Sequence, residues 1–204
     1  MPGGADLGYC RVLNGQGNAR IEQYVRRGGS YLGLCAGGYY GSVRCEFEVG
    51  DKKMQVVGNR ELGFFPGTCR GCAFKGFVYH SEAGTRASLL DVDGKAYGGG
   101  VEVTGFRSYY NGGGVFVDAA KMREKGVEVL ASYVEEMDVE GGSGGKEAAA
   151  AAVYCKVGDG GAILTGTHPE YAYTHSQSLL HTLTNNRKVC SRQSKPRIRR
   201  TRVR

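Results

Sequence analysis

No apolar run in this chain of 204 residues approaches the ~20 that a membrane-crossing helix requires, so no such helix is expected. The opening residues, Met1-Pro2-Gly3-Gly4-Ala5-Asp6, lack the basic and apolar segments of a secretory signal. A second cysteine pair is missing as well. Cys69-Arg70-Gly71-Cys72 stands alone with His80 nearby, which is too few ligands for zinc, so no metal is expected. Neither Gly98 to Gly100 nor Gly112 to Gly114 is followed by Lys-Ser/Thr, which removes a phosphate-binding P-loop and leaves no cofactor expected. The seven cysteines are scattered and odd in number, a usage that fits a reduced, cytoplasmic setting.

Glycine is in excess, 35 of 204 residues, against an ordinary share of ~7%. Much of it sits in short clusters between apolar runs, where it marks tight turns and close backbone approaches. Charge is uneven. The formal net charge is +7, yet residues 187–204 hold nine Lys or Arg and no acid, which leaves 18 basic and 20 acidic residues elsewhere. The body therefore offers no basic surface for nucleic acid. The tail, through Lys195-Pro196-Arg197-Ile198-Arg199-Arg200, reads as a nuclear-localisation or nucleic-acid segment, as a solvated appendage, or, given the abrupt change in composition after about residue 186, as the product of a mis-predicted exon. The length suits one domain, here 1–175, followed by a disordered basic tail over 176–204.

Asn18 to Arg27 reads as a helix capped by Asn18 and stopped by Gly28-Gly29. Ser30 to Leu34 is a short buried strand, and the small residues after Cys35 open another helix. Cys45 to Val49 and Met54 to Val57 read as strands, as do Val101 to Val103, Gly114 to Val117 and Val127 to Tyr133. Residues 62–80 read as loop and short strand, and Asp118 to Lys125 as a helical turn. Residues 140–151, glycine-rich and then alanine-rich, read as a low-complexity surface insertion ending in a short helix. Ala152 to Val157 and Ala162 to Thr167 flank Gly158-Asp159-Gly160-Gly161, a hairpin signal. Together these predict an α/β fold with antiparallel strands added to one side of the sheet.

The chemistry centres on Gly33-Leu34-Cys35-Ala36-Gly37-Gly38. A strand that enters a helix through such a turn is a nucleophile elbow. Cys35 at a helix N-terminus would have its thiolate favoured by backbone N–H groups and the helix dipole. The plain alternative is a buried structural cysteine in a tight turn. His168, beyond the last apolar strand, suits a general base, and Glu170 suits the group that orients it.

The elbow together with His168-Pro169-Glu170 resembles the class I glutamine amidotransferases. Met1 to Asp6, Tyr31 to Cys45, Glu61 to Gly67 and Phe106 to Gly114 resemble the N-terminal domain of fungal biotin–protein ligases, a likeness that covers roughly residues 1–172. The resemblance implies a flavodoxin-like three-layer α/β/α sandwich. It implies Cys35 as nucleophile, with His168 and Glu170 as its partners. It places Gly3, Gly4, Ala36 and Gly37 at an oxyanion hole, and Tyr39, Tyr109, Asn111, Gly112 and Gly113 around a small-molecule or amide-containing substrate. A biotin–protein ligase catalytic domain is the implied partner.

Three departures qualify it. Amidotransferases carry glutamine where Tyr39 stands, which argues against free glutamine as substrate. Related domains place a strand, a helix and a strand before Pro-Gly-Gly, so a shortened sheet is expected here. The ligase's own catalytic domain, with its biotin-adenylate loop, is not in the sequence. The chain thus reads as a cysteine-dependent amide or ester hydrolase or transferase, as a non-catalytic regulatory module, or as a fragment.

Overall fold

The computed structural model describes residues 1–94, 103–139 and 149–171. Gly98 to Gly100, residues 140–148 of the low-complexity segment and the tail over 176–204 lie outside the described residues. Three helices occur near the start: α1 (Asp6–Leu13), α2 (Gln16–Arg26) and α3 (Ala36–Tyr40). Ten strands among the described residues complete the frame: β1 (Ser30–Leu34), β2 (Ser42–Phe47), β3 (Val56–Asn59), β4 (Phe65–Gly71), β5 (Arg86–Val92), β6 (Val103–Tyr110), β7 (Val115–Phe116), β8 (Val127–Tyr133), β9 (Ala150–Val157) and β10 (Gly160–Thr165).

These form two mixed sheets, which makes the protein α/β. The larger has the order β1-β10-β9-β8-β5-β6 and the smaller β3-β2-β4-β7. β1 runs parallel to β10, with Leu32 opposite Ile163 and Leu34 opposite Thr165. Every other pairing in the larger sheet is antiparallel. The hairpin expected around Gly158 is present as β9 and β10, but it lies inside the sheet, between β1 and β8, rather than on its flank. α2 packs on β1 and β10, and α3 packs on strands of both sheets. Tyr31, Tyr40, Phe65, Phe116, Val153 and Leu164 lie in the main core. Phe74, Tyr110 and Tyr133 pack with Ala149 and Ala151 in a second cluster. No helix among the described residues is long and apolar enough to cross a membrane.

Three local readings change. The alanine run ends not in a surface helix but in β9, where Ala150 and Ala151 are fully buried. Alanine's helix preference is weak beside the burial of small side chains in the two cores. Asn18 is not a cap. It sits inside α2, giving its amide N–H to Glu61 (2.7 Å) and accepting from the Tyr40 hydroxyl (2.7 Å). α1 has no expected counterpart, because its N-cap, Ala5, makes no side-chain hydrogen bond. Tertiary contact holds it instead: Asp6 in its first turn forms a buried ion pair with Arg60 at 2.7 Å.

Candidate functional site

β1 delivers the chain to Cys35, which has φ 48° and ψ −103°. A residue with a Cβ is strained there, at a cost of about 1–3 kcal/mol. The turn is kept by its neighbours. The Cys35 N–H donates to the Thr165 carbonyl of the adjacent parallel strand at 2.8 Å. Gly37 and Gly38 leave room for other backbone, since a Cβ would lie 2.3 Å from the Met1 oxygen or 2.8 Å from the Thr165 oxygen. The Cys35 thiol is buried and donates to the Asn111 carbonyl at 3.5 Å. Burial pushes it up to about 12. The Ala36 N–H works against that rise, while Glu170 and Asp6 add to it. The expected thiolate-favouring effect of the helix is therefore outweighed: α3 has five residues, and desolvation of the sulfur is the larger effect.

β10 leads to His168 through a turn in which the Thr165 hydroxyl accepts from the Thr167 N–H at 3.0 Å. The His168 N–H then donates to the Tyr109 carbonyl at 2.8 Å. His168 Nδ1 lies 2.8 Å from Glu170 Oε1. A carboxylate only accepts, so in this contact the ring donates from Nδ1 and Nε2 is turned away from Glu170. The ring is further packed by Tyr109 and Tyr171, at centroid distances of 5.8 and 5.6 Å. Gly3 lies against it, where a Cβ would come 2.3 Å from Cε1. The elbow and the histidine loop thus leave neighbouring parallel strands, with Gly3 against the ring.

Between them runs the segment Asn111 to Gly114. Three tyrosine hydroxyls hold three successive glycine carbonyls: Tyr39 on Gly112 (3.2 Å), Tyr110 on Gly113 (2.9 Å) and Tyr133 on Gly114 (3.2 Å). Gly113 also meets Gly166 backbone to backbone, where a Cβ would lie 1.5 Å from the Gly166 oxygen. Tyr39, expected beside the substrate, is buried in the body and braces this loop from behind. Gly37, expected at the oxyanion hole, gives its N–H to the Pro2 carbonyl at 3.2 Å, which leaves Ala36 as the elbow donor facing the sulfur. Tyr109, by contrast, faces His168 and donates its hydroxyl to Glu82 at 2.7 Å.

The bracing roles of Tyr110 and Tyr133 and the part of Glu82 were not read from the sequence. One signal was there. Adjacent Tyr109 and Tyr110 in a strand must point to opposite faces, so one serves the site and the other the core.

The fold and this site define an α/β protein with a cysteine on a strand–helix elbow. The chain belongs to the family described as biotin-protein ligase, N terminal, which it matches over residues 1–202. It is 44% identical over 172 residues to the biotin–protein ligase of Schizosaccharomyces pombe (strain 972 / ATCC 24843), covering 84% of this chain and 25% of that protein. It is 35% identical over 189 residues to an uncharacterized protein of Chlamydia muridarum (strain MoPn / Nigg), covering 89% of this chain and 64% of that one. The chain therefore spans about a quarter of the yeast relative and less than two thirds of the bacterial one. Two solved β-galactosidases, from Rahnella sp. R3 and Bacillus circulans sp. alkalophilus, superpose with TM-scores of 0.39 at 15% and 13% identity. They cover 75% and 74% of this chain and 18% of each of theirs, an agreement too loose to carry fold or function.

Proposed function

We propose that the chain is a class I glutamine amidotransferase-like domain on a flavodoxin-like frame, and that it hydrolyses or transfers an amide or ester through Cys35. The observation that carries this reading is the pair of parallel strands β1 and β10. One ends in a strained cysteine and the other leads to a histidine oriented by a carboxylate. In the reaction, Cys35 Sγ attacks the acyl carbon while His168 Nε2 takes the thiol proton. Charge on the acyl oxygen is met by the Ala36 N–H and by the backbone at Gly3 and Gly4. The carbon–nitrogen or carbon–oxygen bond then breaks and His168 returns the proton to the leaving group. Water hydrolyses the thioester, or an amine takes the acyl group. Burial pushes the thiol up to about 12, so in this scheme His168 takes the proton as Sγ attacks. A cytoplasmic setting suits the six free cysteines among the described residues.

The test is intact-mass spectrometry with p-nitrophenyl acetate and an aminoacyl ester. Expected is one acyl increment on Cys35, absent in Cys35→Ser and reduced about 100-fold in rate in His168→Asn. Equal acylation of the Cys35→Ser protein, or none in the native chain, refutes the reading.

A second reading follows from the family and the buried thiol: a non-catalytic module that docks on a biotin–protein ligase catalytic domain. Co-purification of the two domains, unchanged by Cys35→Ser, would favour it. Failure to associate at micromolar concentrations would count against it.

A further inference from the structure

We infer that this site selects an acyl substrate carrying an N–H donor beside its reacting carbon, neutral or cationic rather than anionic, and that Asn111 is the selecting residue. The inference rests on the Cys35 reading for the position of the reacting carbon. The Asn111 carbonyl receives the Cys35 thiol, so Asn111 lies beside that carbon. Its side-chain Oδ1 is buried and has no hydrogen-bond partner among the described residues. A buried acceptor left unmet is unfavourable, because it has given up its water without gaining a donor.

The orientation of the amide follows from its neighbours. Tyr109 has already given its one proton to Glu82 and keeps only lone pairs for the Asn111 amide that interacts with it. The NH2 end therefore turns to Tyr109 and the oxygen is left over. A ligand N–H is the group that satisfies it.

Charge points the same way. The ionisable groups acting on Cys35 are the carboxylates Glu170 and Asp6, and Glu82 acts on Tyr109. Arg60 pairs through Nε with Asp6 and through Nη1 with the carbonyls of Gly58 and Asn59, and its remaining Nη2 is buried away from solvent. Arg107, two residues from Tyr109, is turned onto the Ala87 carbonyl. A carboxylate or phosphate on the substrate would meet acceptors and negative charge, whereas an ammonium or amide meets its complement.

The experiment uses Cys35→Ala protein, which cannot turn over, with glycinamide as donor probe and glutarate as anionic control. NMR follows the Asn111 side-chain amide. Expected is a shift of that resonance with glycinamide, and glycinamide binding at least about tenfold tighter than glutarate. Asn111→Leu should abolish glycinamide binding, and Asn111→Asp, which keeps the acceptor and adds charge, should retain or tighten it. Equal or tighter glutarate binding, no glycinamide shift, or unchanged affinity in folded Asn111→Leu would overturn the inference. Glycinamide binding through Asn111 without Cys35 acylation in the native chain would refute the nucleophile and leave this site standing. Acylation of Cys35 without donor preference would refute this site alone.

Discussion

The Cα of Gly3 is pressed against the His168 ring, so that a methyl group there would lie 2.3 Å from Cε1 and 3.3 Å from either nitrogen. Gly3 is not at a positive φ, so alanine is acceptable to the backbone and the conflict is with the ring alone. Gly3→Ala should therefore push His168 off Glu170 while leaving the fold in place. Under the proposed chemistry, Cys35 acylation falls about 100-fold while the thermal midpoint moves little. A Gly3→Ala protein with native acylation rates would mean that the ring has room to move and that Gly3 does not set its position.

Cys35 carries the opposite kind of constraint, one of backbone and not of space. At φ 48° any side chain is strained and glycine is relaxed. Glycine in most folded positions is destabilising relative to alanine, because it loses more freedom on folding. Here the order should reverse, with Cys35→Gly more stable than Cys35→Ala by about 1 kcal/mol in urea unfolding. Equal stability of the two variants would show that the elbow relaxes when the sulfur is removed.

Tyr39 links the elbow helix to the loop that receives the thiol. Its ring is buried, at 3% exposure, and its hydroxyl reaches the Gly112 carbonyl at 3.2 Å. Tyr39→Phe keeps the packing against Phe47 and leaves that carbonyl without its donor, which should cost about 1 kcal/mol. Tyr39→Gln should cost more, since it also empties the space the ring fills. A Tyr39→Phe protein as stable as the native one would remove the hydroxyl from the bracing scheme.

Alkaline pH should unfold this protein early. Burial raises the thiols of Cys35, Cys45, Cys69 and Cys72 and the phenols of Tyr31, Tyr39, Tyr110 and Tyr133 above their ordinary values. These groups are neutral when protonated. In the unfolded chain they ionise between about pH 8.5 and 10, while the folded state still holds the protons. The unfolded state then binds fewer protons, so stability falls as pH rises. The contribution is intact below about pH 8.5. It is lost upward at about 1.4 kcal/mol per pH unit for each group that remains protonated only in the fold. Urea midpoints at fixed temperature should be flat from about pH 6 to 8 and drop steeply above about 9. A midpoint unchanged at about pH 11 would contradict this burial.

The elements that the sequence disclosed are those whose local signal agrees with their surroundings. β1 into Cys35 is an apolar run ended by small residues, β8 has the bounds Val127 to Tyr133 in both readings, and Gly158 marks the β9–β10 hairpin. Elements were missed where packing overrides local preference. Ala150 and Ala151 are strand because they pack to opposite sides, Ala150 in the main core and Ala151 in the cluster of Phe74, Tyr110 and Tyr133. Asn18 looks like a cap, but Tyr40 and Glu61, distant in sequence, claim its amide. The site divides along the same line. Cys35, His168 and Glu170 announce themselves by motif, whereas the hold of Tyr110 and Tyr133 on glycine carbonyls depends on a sheet order that no local pattern encodes.

The ion pair between Asp6 and Arg60 bears on the site through chain position. Asp6 opens α1 two residues after Gly4, and its carboxylate lies 2.7 Å from Arg60 Nε, with side-chain exposures of 9% and 4%. One guanidinium nitrogen, Nη2, already lacks a partner among the described residues. Asp6→Asn would leave a buried, uncompensated charge and should cost about 3–5 kcal/mol, whereas replacing both partners with apolar groups removes the charge as well as the pair. The double variant Asp6→Leu/Arg60→Met should therefore recover most of that stability. The site separates the two effects further. Without Asp6 the first turn of α1 loses its anchor, and Gly3 with it, so hydrogen exchange in residues 6–13 should speed up and Cys35 acylation should fall even where Asp6→Asn remains folded. Hydrogen-exchange mass spectrometry beside urea unfolding checks both. If Asp6→Asn costs less than about 1 kcal/mol, the pair is solvated in solution and does not anchor the segment that leads into the site.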